Sequence, residues 1–324
     1  MSQYRKPYLP VPDQLVLLQS RGMTVSQPGT AEDCLKRVGY YRLSAYWYPF
    51  RRSIVSPLSG GQLQTVVHDD FMPGTQFSTV FELYVFDKKL RLLMLDALER
   101  VEIALRTDVA LLLGPRDPAA HRNPALLHGN FAKKVQPWNG LTGHQDWLKK
   151  LDEVERRSKA DFVLHFRAKY PASDLPIWMS VELWDFGMLS RFLSGLTVAD
   201  QLTLAARYQL PRRELLASWM KAFNFVRNVS AHHARLWNQP LIDQPKPLHR
   251  GEVPLLDHLV GNSFAENRLY AVAAGLRFML QIINPGTHWP QRLKELAASF
   301  PANPHVSFDR SGFPAGWDAL PLWR

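Results

Sequence analysis

Arg227 and His232 stand with four residues between them in the segment FNFVRNVSAHHARLWN, residues 223–238. Those two side-chain types can together cut RNA without a metal. The 2′-OH attacks the adjacent phosphorus in line, which needs a base at the 2′-OH, an acid at the 5′-oxygen and positive charge on the phosphorane. Histidine, with a reference pKa of about 6.5, serves as either base or acid, an effect of roughly 10²–10⁴ in rate. Arginine keeps its charge, and its forked donors match two non-bridging oxygens. Asn224 and Asn228 flank the arginine and can orient the phosphate or the imidazole. The spacing alone carries little weight. Arg116/His121, with four residues between, and Arg122/His128, with five, fall in the same four-to-six range, in a stretch broken by Pro118 and Pro124 where nothing in the sequence fixes their geometry.

Periodicity separates the 227/232 pair from those two. At about 100° per residue, Trp219, Phe223, Val226, Ser230, His233 and Trp237 share one arc of a helix, and Asn224, Arg227, Asn228, Ala231, His232 and Arg235 share the opposite one. The pattern predicts a helix over 211–238, with His233 hydrogen-bonded in the core and His232 on the polar side. An ordinary surface histidine is the plainer reading of His232. If the pair is catalytic, one motif gives one accessible imidazole, so acid and base together call for a two-fold homodimer.

Helical patterns that must position this segment run almost throughout. Pro12 opens an amphipathic helix stopped at Gly22, and Thr30, with Glu32 and Asp33 behind it, predicts the N-cap of a second helix ending at Gly39. The block GYYRLSAYWYPF, residues 39–50, reads either as a packing slab or as a base-stacking platform beside Arg42, Arg51 and Arg52. Residues 53–75, rich in Ser, Gly and Pro, predict a loop or a short hairpin. From 76 to 113 one helix, closed by Gly114-Pro115, would extend about 55 Å as a spine. Asp96, Glu99, Glu102 and Arg106 make a polar stripe on it, either a solvated face or a functional face buried opposite another helix. A Pro/His-rich loop over 115–142 follows, with further helices near 144–158, 160–169, from 176, at 264–283 and at 290–299. The aromatic tail FDRSGFPAGWDALPLWR is expected to dock. No period-two strand pattern and no repeat stands out. The regions 1–75, 76–240 and 241–324 are read as parts of one integrated all-α unit.

Composition bounds the function classes. The 324 residues are 46% apolar and 21% charged, a globular balance that excludes global disorder and collagen-like chains. Lys+Arg total 39 against 29 acids, a net charge of +10, and 26 of the 39 are arginine, which favours partners bearing planar anionic groups such as phosphates. The single cysteine, Cys34, excludes an internal disulfide and suits a reducing, cytoplasmic compartment. The first twenty residues lack a secretory h-region, and the longest apolar stretch is broken by charge, so no membrane span is expected. Adjacent His232 and His233 diverge on a helix, and no Cys pair, HExxH, Gly-rich phosphate loop or G-x-S-x-G elbow occurs, so no metal or cofactor is expected.

Five blocks resemble, in order and spacing, the AbiD/AbiF family of bacterial abortive-infection proteins. They are residues 6–22, GYYRLSAYWYPF, LYVFDKKLRLLMLDALERVEIALR (83–106), LPIWMSVELWDFGMLSRF (175–192) and FVRNVSAHHARLWN (225–238). The resemblance implies an all-helical fold related to the HEPN superfamily, a HEPN-like bundle with added N- and C-terminal helices, and a role in phage defence. For AbiF-type members it also implies a cognate small noncoding RNA. It places Arg227, Asn228 and His232 at the HEPN arginine, polar residue and histidine, and Glu99 and Glu102 in the family's acidic stretch, with Asn224 as a further supporting residue. The expectation is an endoribonuclease toxin held in check or organised by a small RNA, with Arg42, Arg51, Arg52 and Arg235 on the RNA backbone. An RNA-binding defence protein without nuclease activity would use the same surface, and a helical scaffold without nucleic acid is a third reading.

Overall fold

Proline and glycine punctuate the first helices of this computed structural model, which describes residues 7–57 and 63–324. Helix α1, Val11–Ser20, has Pro12 in its first turn, and the chain turns at Gly22 with φ of 92°. Helix α2, Pro28–Val38, starts at Pro28 rather than at a Thr30 cap, because proline's fixed φ suits the first helical position; Gly39 ends it at φ of 91°. The aromatic block forms α3, Tyr40–Trp47, and a 3₁₀ turn, Tyr48–Phe50.

Strands β1, Arg51–Pro57, and β2, Leu63–Phe71, pair antiparallel with Ile54 opposite Val66 and Val55 opposite Thr65. The short hairpin allowed for residues 53–75 therefore exists, although residues 58–62 of that stretch lie outside the described residues, as does residue 6 at the start of the first matching block. The fold is mostly α rather than purely so. Most hairpin side chains are exposed, so no buried face imposes the alternation by which a strand is read.

Helix α4, Phe77–Leu113, is the expected spine. It is followed by α5, Gly129–Ala132, α6, Gly143–Arg157, α7, Asp161–Lys169, α8, Ile177–Ser180, α9, Phe186–Gly195, α10, Val198–Arg207, and α11, Arg213–Ala231. The last helices are α12, Ser263–Glu266, α13, Leu269–Ile283, and α14, Trp289–Ala298. The chain divides into two compact units, Met1–Arg91 with Leu293–Arg310, and Leu92–Arg292 with Ser311–Arg324. In the first, Leu43, Tyr46, Trp47 and Phe50 are buried with Val80, Leu83 and Leu90 of α4, and the Phe86 ring meets Phe300 at 4.9 Å. Half of the aromatic block thus packs, while Tyr41 stays 91% exposed. Buried Tyr46 donates to Asp87 at 2.7 Å and accepts from Arg91 at 2.9 Å, so the charged pair carries its own hydrogen bonds.

The second unit is built around α13, buried at every position from Leu269 to Leu280. Gly275 lets α11 approach, since a Cβ there would stand 3.3 Å from the Phe223 ring. From Ser311 onward the tail docks within this unit, as expected. Phe313, Trp317, Leu322 and Trp323 are buried, and Arg277 donates to the Leu322 carbonyl at 2.9 Å. Among the described residues no helix is long and apolar enough to cross a membrane.

Candidate functional site

Helix α11 carries the arginine of the pair. Its apolar stripe, Leu215, Leu216, Trp219, Met220, Phe223 and Val226, is buried together with Ser230, which leaves Asn224, Arg227 and Asn228 half-buried at its edge. This much follows the periodicity. The helix ends earlier than its pattern, at Ala231 rather than near 238. His232 is the C-cap, its N–H bonded to the Asn228 carbonyl at 2.9 Å, and His233 takes the left-handed region at φ of 59°. The Ala234 N–H returns to the Val229 carbonyl at 3.0 Å, so the chain leaves the helix in a Schellman-type turn. His233 is therefore exposed, not a core residue, and His232 is exposed beside it. Trp237 is buried as expected, but from the segment after the helix, where Arg235 also lies.

The second half of α4 and the turn before α9 supply the charges around Arg227. Arg106 donates to Glu102 at 2.6 Å and also to the backbone carbonyl of Trp184. The next residue, Asp185, caps α9 by accepting the Met188 N–H at 2.7 Å, and its other oxygen accepts from Lys150 at 2.6 Å. A Cβ on Gly187 would stand 3.2 Å from Asp185 Oδ1 and 3.6 Å from Asn224 Oδ1, which places Asn224 of α11 against the capped end of α9. Arg227 itself donates to Asn228 Oδ1 at 3.4 Å.

These groups tune one another. Burial raises the Glu102 carboxyl above its ordinary range; Arg106 and Arg227 oppose that shift, and Asp185 and Glu99 add to it. Burial also pushes Asp185 upward, but the Lys150 hydrogen bond, the Met188 N–H and the fields of Lys150 and Arg227 outweigh it and hold Asp185 below the usual carboxylate range. Two carboxylates from different elements thus act on the Arg227 guanidinium, with exposed Glu99 at the rim. The polar stripe on α4 divides. Asp96 turns to Arg100 and Arg292, each at 3.0 Å, whereas Glu102 and Arg106 are mostly buried in the cluster.

Sequence reasoning missed Asp185, Lys150 and the Trp184 carbonyl. The signal for Asp185 was an aspartate just before the apolar run of α9, an N-cap pattern. The two competing Arg/His pairs are held firmly, contrary to expectation. Arg116 is bidentate to Asp200, with contacts of 2.9 and 2.5 Å, and Arg122 binds Asp152 and Glu155, both at 2.8 Å, and Asp174 at 3.3 Å. His121 is fully buried, which lowers its pKa to about 3. Carboxylates already pair with both arginines, which offsets the charge that a phosphate would need, and the imidazole of the first pair is buried.

Of the remaining candidates, Arg42 is exposed on α3, Arg51 pairs with Asp69 at 3.2 Å and Arg52 with Asp70 at 2.6 Å. All three lie in the first unit, and the Arg227 cluster lies in the second. Among the described residues no group of three or more His, Cys, Asp or Glu side chains could hold a metal ion.

The sequence profile of a family described as Abi-like protein matches residues 33–238, from α2 to the turn beyond α11. No curated protein and no solved structure matches the chain.

Proposed function

The chain belongs to the Abi-like protein family, a family of abortive-infection defence against phage, and we propose that within that role it is a metal-independent, HEPN-type endoribonuclease. One observation carries the reading. Arg227, whose charge acts on Glu102 and Asp185, lies five residues before a solvent-facing His232. Arg227 would bind the non-bridging oxygens, and Asn228 and Asn224 would orient the phosphate. An imidazole takes the proton from the 2′-OH as oxygen bonds to phosphorus; the P–O5′ bond breaks and a second imidazole protonates the leaving oxygen. The products are a 2′,3′-cyclic phosphate and a 5′-OH. Two copies facing across a two-fold axis would supply two His232 side chains, and a cognate small noncoding RNA would hold the enzyme in check.

The test is cleavage of labelled single-stranded RNA with end-group mapping, in EDTA. His232→Ala is expected to lower the rate about 10²- to 10⁴-fold, and Arg227→Ala to abolish cleavage, with RNA affinity kept in the His232 variant. Cleavage that survives His232→Ala, or that stops in EDTA, overturns the mechanism. RNA binding with no cleavage by the unaltered chain would favour a non-catalytic RNA-binding defence protein.

A further inference from the structure

A cavity of about 490 Å³ opens in the first unit, and none of its lining residues is among those assigned above to cleavage. Its walls include Tyr8, Tyr41, Gln14, Arg21, Arg51 and Asp69. Tyr8 is 85% and Tyr41 91% exposed, so two large aromatic faces stand uncovered at one concavity. Isolated exposed aromatics are common, but two of them lining one cavity of small-ligand size, beside guanidinium groups, are the makings of a stacking site.

The charges determine what would be read. Arg21 contacts Asp69 Oδ2 at 2.9 Å and Arg51 contacts Asp69 Oδ1 at 3.2 Å, and the Arg51 guanidinium also lies 5.9 Å from the Tyr48 ring centroid. Two guanidiniums around one carboxylate leave one net positive charge, enough for a single phosphate and not for a backbone track. The Asp69 side chain is itself 57% exposed. Both its oxygens keep lone pairs beyond those the arginines occupy, and a carboxylate held this way accepts from two adjacent donors. Among nucleobases, guanine presents such a pair on one edge, N1–H and the 2-amino group.

We propose that this cavity binds a guanine base of single-stranded RNA, stacked on Tyr41 and Tyr8 and hydrogen-bonded at its donor edge by Asp69, with Arg21 and Arg51 fixing the carboxylate. The inference rests on the reading of the chain as an RNA-acting protein and assigns a specificity site to that RNA, separate from the residues that cut it. It also changes the expected role of Arg51 from a backbone clamp to a support for Asp69.

The test is fluorescence anisotropy of the full chain with short single-stranded RNAs carrying one guanine, and with matched RNAs in which that guanine is inosine or adenine. Tyr41→Ala and Tyr8→Ala are each expected to weaken binding of the guanine RNA about tenfold, the scale of one base stacked on one aromatic ring. Tyr41→Phe is expected to restore it, since stacking needs the ring and not the hydroxyl. Inosine, which lacks the 2-amino donor, should bind more weakly to the unaltered chain but no differently from guanine once Asp69 is changed to Asn. Because both tyrosines are highly exposed, their truncation leaves the core untouched. Guanine RNA bound equally well by both alanine variants overturns the pocket and leaves the nuclease reading standing. Guanosine monophosphate bound as tightly as the oligonucleotide overturns RNA as the source of the base. An unaltered chain that binds none of these RNAs overturns both readings.

Discussion

His232 and His233 leave α11 together, and their exposure changes the arithmetic of proton transfer. A core His233 would leave one imidazole per chain and require a second copy; an exposed His233 puts two at one helix end. His233→Gly separates these cases. Glycine adopts φ near +60° without the cost of about 1–2 kcal/mol that an L-residue bears there, so the variant should unfold at higher denaturant. If the second proton carrier is His232 of a partner, His233→Gly should also cut RNA at the unaltered rate, whereas a fall of a hundredfold or more would move that role into the same chain. At this scale the sequence was partly legible. Arg227, Asn228 and Asn224 occupy the helix edge that their spacing indicates, but no local rule placed Glu102 and Asp185 beside them, because those residues come from two distant segments.

The elements that hold the site end where capping chemistry ends them. Asp185 caps α9 while pairing with Lys150, so Asp185→Ala should cost about 1 kcal/mol in a denaturant titration and lower cleavage by loosening the field on Arg227. Asp185→Asn, which keeps the capping oxygen, should recover most of the stability and not the activity. The loop 115–142 carries a pH-sensitive element. Burial foremost, with the Arg122 and His144 charges, lowers the His121 pKa from its ordinary value to about 3. The unfolded chain therefore takes up a proton at about pH 6.5 that the folded chain refuses until about pH 3, and stability should fall through that window by about 1.4 kcal/mol per pH unit. His121→Phe should flatten the slope in urea melts between pH 6.5 and 4, leaving the part due to His144, which burial also shifts downward. An unchanged slope would remove His121 as the cause. The hairpin was the least legible element, since its side chains face solvent on both sides and its residues carry no alternation.

At the scale of the whole molecule, the surplus of +10 marks anionic partners without locating them, because many of the arginines already have carboxylate partners. The proposed RNA binding should weaken with salt, with a slope of roughly −0.7 per phosphate on single strands. Asp70 already shares the charge of Arg52, so Arg52→Gln should change that slope by less than a full phosphate contact; a change of a full contact would show that RNA displaces Asp70. Mass measurement of the purified chain tests the two-fold pairing, and a monomer that cleaves at full rate would remove it. The sequence by itself determined the helical character, the long α4, the docking tail and the buried stripe of α11, because each is written in short-range periodicity or in the burial demand of apolar side chains. It also carried the family, through blocks whose order spans most of the chain. Only the tertiary structure decided where α11 stops, that His233 faces solvent, that Arg116 and Arg122 are paired with carboxylates, and that the Arg227 charge acts on Glu102 and Asp185. Those outcomes depend on which carboxylate meets which guanidinium across long sequence separations, and a periodic pattern holds no information about a partner it does not contain.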